Sequence, residues 1–281
     1  MSIPVDAESW SSQWHNVHVS IHEVDIEPHP FNISGHFGDV FRGRHPKYGL
    51  LALKRLRTGS DDDNSDRVRR FFREGETWQD LVHPNVLPFL GADPLEDHIY
   101  LMSPFAEHGT VVDYLKRNPT SNRPKFIFEI AAALAFLHSK SIIHGDVKGR
   151  NVLVSPNLSA QICDFGLARD ADSTTSIGMR GAGTVRWLSP EVLRGEPKSF
   201  ASDVYAFGMT VAEILSGEPP FPRHAPAVII TAVLIREQRP PRMPPASADG
   251  SSYDAEWDTA ERCWDKKVDK RPSMNQVVWR L

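Results

Sequence analysis

Cysteine is scarce: this 281-residue chain has two, Cys163 and Cys263. Two thiols cannot build a disulfide framework, and Cys163 lies in an apolar context directly before Asp164, which predicts a buried thiol in a reducing compartment. A basic excess is also lacking. Lys and Arg number 32 against 36 Asp and Glu, a formal net charge of −4, so the charge balance points to neither nucleic acid nor an anionic membrane as partner. Long hydrophobic runs are missing too. The longest, Ala227 to Ile235, contains Thr231 and falls far short of the ~20 residues that span a bilayer. The start, Met1-Ser2-Ile3-Pro4-Val5-Asp6, has no basic region leading into an apolar core and does not read as a secretory signal. A soluble, cytoplasmic protein is the expectation. Its 24% charged and 40% hydrophobic residues are ordinary for a globular chain, and its length suffices for one large domain or two lobes.

What the chain does have is concentrated between His144 and Gly166. The run His144-Gly145-Asp146-Val147-Lys148-Gly149-Arg150-Asn151 precedes an apolar Val152-Leu153-Val154, a turn, and Asp164-Phe165-Gly166. Asp146, Asn151 and Asp164 thus sit around an expected hairpin. Such a set suits metal-assisted phosphoryl transfer, with one carboxylate taking a hydroxyl proton and two oxygen donors holding a hard cation. The stretch resembles the catalytic loop, H-R-D-x-K-x-x-N, and the D-F-G motif of eukaryotic protein kinases.

Other stretches resemble the same family in the same order. Ile33-Ser34-Gly35-His36-Phe37-Gly38-Asp39-Val40 is similar to the glycine-rich loop, with Ile33 in the first glycine position. Leu51-Ala52-Leu53-Lys54 is similar to V-A-I-K, with Lys54 alternating onto the Ala52 face of a strand; alone, it could be a solvated edge lysine. An acidic stretch, Asp61-Asp62-Asp63, precedes a helix that Asn64 or Ser65 can cap and that carries Glu74. In the family that glutamate pairs with the strand lysine; the bland alternative is a surface pair with Arg70 at i,i+4. Gly75, costly in a helix, marks this element as a possible control point. His83-Pro84-Asn85 resembles the turn that follows. Ile99-Tyr100-Leu101-Met102 reads as a buried strand. It leads into Ser103-Pro104-Phe105-Ala106, similar to the hinge, where Ser103 falls at the gatekeeper position and the Pro104 carbonyl and Ala106 N–H would bond adenine.

Two helices are predicted next, over Thr110–Arg117 and Pro124–Ser139, the second with an Ile127, Ile130, Leu134, Leu137 stripe. After Gly166 a polar segment to Thr184 resembles an activation segment and ends in Ser189-Pro190-Glu191, standing for A-P-E. An apolar helix beginning at Ser202-Asp203 stops at Gly217. The Pro-rich stretch through Pro245 is read as a rigid loop. Trp264, Arg271 and a capping box at Ser273 to Gln276 resemble the ending of tyrosine-kinase-like families. Arg271 would pair with Glu191; alone, it could equally be a surface cation.

The resemblance implies an α+β, two-lobed fold: an N-terminal extension over 1–28, a β-rich N-lobe over 29–103, a hinge over 104–109 and a mainly helical C-lobe over 110–281. It implies transfer of the ATP γ-phosphoryl group to Ser or Thr of protein substrates, with dual specificity left open. Asp164 and Asn151 would hold Mg²⁺. Lys54, held by Glu74, would orient the phosphates approached by Gly35 and Gly38. Asp146 would accept the proton and Lys148 neutralise charge. Val40, Ala52 and Leu153 would enclose adenine, and Thr184 would bond Asp146 or Lys148. Trp78, Phe89, His144 and Phe165 would stack as a spine anchored by Asp203. Gly145 replaces the arginine that binds a phosphorylated activation segment, which implies activity that depends little on that phosphate. Ile33 and Gly145 keep a second reading open, a pseudokinase scaffold. A small-molecule kinase is disfavoured by the A-P-E-like ending. The N-terminal stretch is less informative: Trp10, Trp14 and Val17 suit a helical stripe, and Val17 to His22 alternates like a strand. His15, His18 and His22 lack the Cys or carboxylate that would complete a tetrahedral metal set.

Overall fold

The computed structural model describes residues 17–31, 38–56, 64–95, 98–170, 184–242 and 252–281, with the backbone alone at Gly38, 64–70, 169–170 and Thr184. Trp10, Trp14, His15, Ile33, Gly35, the acidic stretch 61–63, residues 171–183 and Met243–Pro245 lie outside them. Two compact units emerge, Met1–Ala106 with Asp164–Gly166, and Glu107–Cys163 with Leu167–Leu281. One is built on a sheet and the other on helices, the α+β, two-lobed organisation expected.

The first unit holds strands β1 (Asp25–Ile26), β2 (Gly38–His45), β3 (Gly49–Leu56), β4 (Gly91–Leu95) and β5 (His98–Pro104), and helix α1 (Asn64–Trp78). The sheet order is β1-β2-β3-β5-β4. Because side chains alternate along a strand, Leu51 and Leu53 share one face and Ala52 and Lys54 the other. The first face is core: Leu51, Leu53, Phe41, Tyr100 and Met102 pack with Val19, Ile21 and Leu90. Register carries the opposite face across three strands, since Val40 lies opposite Lys54, Lys54 opposite Leu101, and Ala52 opposite Ser103. Val40, Ala52, Lys54 and Ser103 therefore share the face that the core does not use.

The strand predicted over Val17 to His22 does not form. The His18 and Val19 amides both donate to the Leu90 carbonyl, and Ile21–Glu23 makes a 3₁₀ turn. The alternation nevertheless reports burial correctly, with Val19 and Ile21 each 1% exposed. Ser20 Oγ and the Ile21 amide both donate to Asp93 Oδ2 at 3.0 Å. The segment is thus tied to the sheet's β4 side, and β1 lies within the expected N-terminal extension, 1–28. His18 and His22 are exposed.

The second unit holds α2 (Val111–Arg117), α3 (Arg123–Ser139), β6 (Ile142–Ile143), β7 (Val152–Val154), β8 (Ala160–Ile162), β9 (Arg169–Asp170), α4 (Pro190–Leu193), α5 (Phe200–Ser216), α6 (Pro226–Leu234), α7 (Asp254–Cys263) and α8 (Met274–Arg280). The α3 stripe is buried as its spacing requires: Ile127, Leu134 and Leu137 are 0% and Ile130 1% exposed. Each such side chain contributes about 1.5–3 kcal/mol of burial. Helix α5 is buried along nearly its whole length, which explains its lack of a polar face. It starts two residues earlier than Ser202, at Phe200. The cause is a reciprocal capping box, in which Ser199 and Ser202 satisfy each other's amides. The predicted box at Ser273 and Gln276 likewise opens α8. Cys263 is buried, whereas Cys163 is only half-buried. Its Sγ donates to the Asn151 carbonyl at 3.4 Å, at the edge of a two-stranded ladder too short to cover it. Among the described residues no helix is long and apolar enough to cross a membrane.

Candidate active site

In the first unit, Lys54 projects from β3 and Glu74 from α1. Lys54 Nζ donates to Glu74 Oε1 at 2.6 Å and to Asp164 Oδ1 at 3.1 Å. Lys54 is therefore not a solvated edge lysine, and Glu74, 2% exposed, is not a surface residue pairing along its helix. Burial would lower the Lys54 pKa, but the Asp164 and Glu74 carboxylates outweigh it and hold the ammonium above its usual range. Burial and the Asp164 charge push Glu74 the other way, up, against the pull of Lys54. One ammonium thus bridges two carboxylates. Asp164 has φ +68°, a left-handed conformation uncommon for a side-chain-bearing residue and concentrated at functional sites. It turns Phe165, 1% exposed, toward Trp78, with ring centroids 6.0 Å apart. Trp78 also meets Phe89 edge-on at 5.5 Å and donates Nε1–H to the Leu87 carbonyl at 2.6 Å. Three of the four rings expected to stack, Trp78, Phe89 and Phe165, thus come together.

Ser103, 4% exposed, lies opposite Ala52, and Pro104 opposite Leu51. The Phe105 amide is spent on the Leu50 carbonyl at 2.9 Å. Gly38 pairs with Leu56 at the start of β2; Gly35 lies outside the described residues.

In the second unit, a turn after β6 and a 3₁₀ turn at Gly149–Asn151 bring Asp146, Lys148 and Asn151 together. Asp146 Oδ2 accepts from Lys148 Nζ at 2.6 Å and from Asn151 Nδ2 at 2.9 Å. The same Asn151 amide donates to the Asp146 carbonyl at 2.9 Å, so its Oδ1 points away from those bonds. Asp146 Oδ1 is buried and takes no hydrogen bond from any described residue. One carboxylate oxygen is fixed and the other is left to accept. Leu153 is half-buried on β7, bridged to Thr110. Thr184 lies in a 3₁₀ turn, and its expected bond falls outside the described side chains.

The loop is held from behind by Asp203 of α5. Its carboxylate accepts from the His144 amide at 2.8 Å, the Gly145 amide at 2.9 Å and His138 Nε2 at 3.1 Å. Burial would raise the Asp203 carboxyl, but His138, His144 and the Gly145 amide hold it below its usual value. A second acid on the same helix, Glu213, lies in none of the motifs the sequence shows. It accepts from the Gly149 amide at 2.8 Å and from Trp187 Nε1 at 3.2 Å. Burial pushes its carboxyl up to about 7 despite those bonds. A glutamate inside a helix apolar nearly all round was the available signal. Arg271 meets Glu191 through two bonds, of 2.6 and 2.9 Å. Its ordered fork excludes the reading as a surface cation.

Residues 33–281 match the family of protein tyrosine and serine/threonine kinases. The chain is 32% identical over 226 residues to the probable serine/threonine-protein kinase kinX of Dictyostelium discoideum, covering 79% of this chain and 20% of that relative. It is 30% identical over 257 residues to the serine/threonine-protein kinase CTR1 of Arabidopsis thaliana, covering 87% and 30%. It is also 30% identical over 258 residues to the tyrosine-protein kinase FRK of Homo sapiens, covering 88% and 49%. The chain thus spans less than half the length of each of these relatives. With its ordered motifs, its two-unit fold and this match over most of its length, the chain belongs to the protein tyrosine and serine/threonine kinase family, as a catalytic domain of the tyrosine-kinase-like branch.

Proposed function

We propose that this chain transfers the γ-phosphoryl group of ATP to Ser or Thr hydroxyls of protein substrates. The observation that carries the reading is the divided carboxylate of Asp146: Oδ2 fixed by Lys148 and Asn151, Oδ1 buried and without a partner among the described residues. A carboxylate so placed accepts a hydroxyl proton without first surrendering another bond. The hydroxyl oxygen then bonds to the γ-phosphorus while the bond to the β–γ bridging oxygen breaks, releasing ADP. Lys148, held 2.6 Å from Asp146, offsets charge on the transferring group.

In the same reading Lys54, oriented by Glu74, takes the α/β-phosphates. Gly35 and Gly38 approach those phosphates through backbone amides, and Val40, Ala52 and Leu153 enclose the adenine. The Pro104 carbonyl and the Ala106 amide bond its edge, next to Ser103. Mg²⁺ would be held by Asp164 and Asn151. Their oxygens suit a hard cation. Among the described residues no three His, Cys, Asp or Glu side chains gather as a metal group. When bound, the ion supplies charge neutralisation on the phosphates. The acceptor assignment rests on Lys148, two residues after Asp146. It is tested by phosphoamino-acid analysis of a generic protein substrate labelled with Mg²⁺-ATP. Phosphoserine and phosphothreonine are expected, and phosphotyrosine alone would overturn the assignment.

A further inference from the structure

Asp146 can act as a base only if its carboxylate stays aimed, and the peptide plane before it sets that aim. Both ends of this plane are held. The Asp146 amide donates to His144 Nδ1 at 3.2 Å, while His144 Nε2 faces the Cys163 carbonyl at 3.1 Å. Facing a carbonyl, Nε2 carries a proton, and Nδ1 accepts from the Asp146 amide. At the other end, the Gly145 carbonyl accepts from Lys198 Nζ. Lys198 belongs to the segment between α4 and α5, far from the loop in sequence.

Gly145 is what permits the Lys198 bond. Its φ of +77° turns the carbonyl toward Lys198, a conformation that a side chain disfavours. A Cβ there would also lie 2.9 Å from the Leu167 carbonyl oxygen and 3.0 Å from Lys198 Cδ. The lysine side chain therefore occupies the place beside residue 145 that a larger residue would need. With Asp203 accepting from the two amides on one side, the loop is gripped between a carboxylate and an ammonium.

We infer that Lys198 is a positioning residue: it fixes the Gly145–Asp146 peptide plane, and so the Asp146 carboxylate, by a charge-assisted bond that requires no phosphate. The role rests on reading Asp146 as the base. It supplies from another part of the chain an anchoring cation that the loop itself lacks at position 145.

The test compares wild type, Lys198→Met and Lys198→Arg for steady-state phosphotransfer and for amide hydrogen exchange over residues 144–148. Thermal unfolding is recorded alongside to establish folding. Lys198→Met should lower kcat by about 10- to 100-fold, as a small misplacement of a reacting group does. KM for ATP should stay unchanged, exchange should be faster in the loop, and Lys198→Arg should recover most of the rate. In an Asp146→Asn background, Lys198→Met should add little further loss, because both changes act through one carboxylate. A folded Lys198→Met protein with wild-type kcat and wild-type exchange overturns the inference, as does an equal loss in the Asp146→Asn background. Should Lys198→Met not fold, Lys198→Gln is read by the same measurements. Should wild type itself prove inactive, the reading of Asp146 falls. Exchange then decides the clamp alone, with unchanged loop exchange in the variant counting against it.

Discussion

Arg271 and Glu191 form a bidentate ion pair with Nη1–Oε1 at 2.6 Å and Nη2–Oε2 at 2.9 Å, the arginine side chain 0% exposed. Burial would raise the Glu191 carboxyl, yet the Arg271 bonds and charge hold it below its usual value. The guanidinium also lies 5.1 Å from the Tyr205 ring centroid and donates to the Ala201 carbonyl at 3.0 Å. Removing one partner strands a buried charge, so Arg271→Ala should cost about 3–5 kcal/mol. Replacing both by apolar residues should cost less than the single change. Urea unfolding of the single and double variants measures this, and a single-variant cost within the ~1 kcal/mol of a surface pair would contradict it.

Glu213 should give stability a pH dependence. Its carboxyl titrates near about 7 when folded, against 4.5 as the ordinary value. The folded state thus holds the proton more tightly than the unfolded chain, and its contribution is fully present below 4.5. As pH rises from there the unfolded state sheds the proton first. Stability should therefore fall until about pH 7 and then level off. Glu213→Gln keeps an oxygen for the Gly149 amide and removes the titration. The wild-type minus variant difference in unfolding free energy should slope downward over that window. A flat difference would contradict the raised pKa.

Gly149 meets the same carboxylate at close range. A Cβ at this position would lie 2.6 Å from Val112 Cγ1 and 2.8 Å from Glu213 Oε2. Neither neighbour can swing away, since Val112 is branched and Glu213 is tied to Trp187. Gly149→Ala should lower stability by about 1–3 kcal/mol, the cost of overpacking a filled site. Val112→Ala in the same chain should recover part of it. Differential scanning calorimetry reads both; a neutral Gly149→Ala would show that the loop yields more readily than its contacts indicate.

Much of this arrangement was legible in the chain, for identifiable physical reasons. The two-residue period at Leu51 and Leu53 sorted the sheet's faces, and the spacing of Ile127, Ile130, Leu134 and Leu137 found the α3 core. The Lys54–Glu74 pair and the Arg271–Glu191 brace followed from a family resemblance that no single motif could carry. Other features resisted. Val19 and Ile21 alternate as a strand would, but two of the neighbouring amides converge on one Leu90 carbonyl, so burial was right and backbone form was not. Lys198 and Glu213 grip the loop across 53 and 64 residues of chain, and no local pattern reports a partner at such a distance.

The central claim is that Asp146 accepts the proton of a protein hydroxyl during phosphoryl transfer from ATP. Asp146→Asn keeps the shape of the side chain and removes its basicity, so it separates chemistry from binding. Initial rates of phosphate transfer from Mg²⁺-ATP should fall by about 10²- to 10⁴-fold, with nucleotide affinity little changed. Equal phosphotransfer by wild type and Asp146→Asn, or none by either while both bind ATP, would contradict the claim.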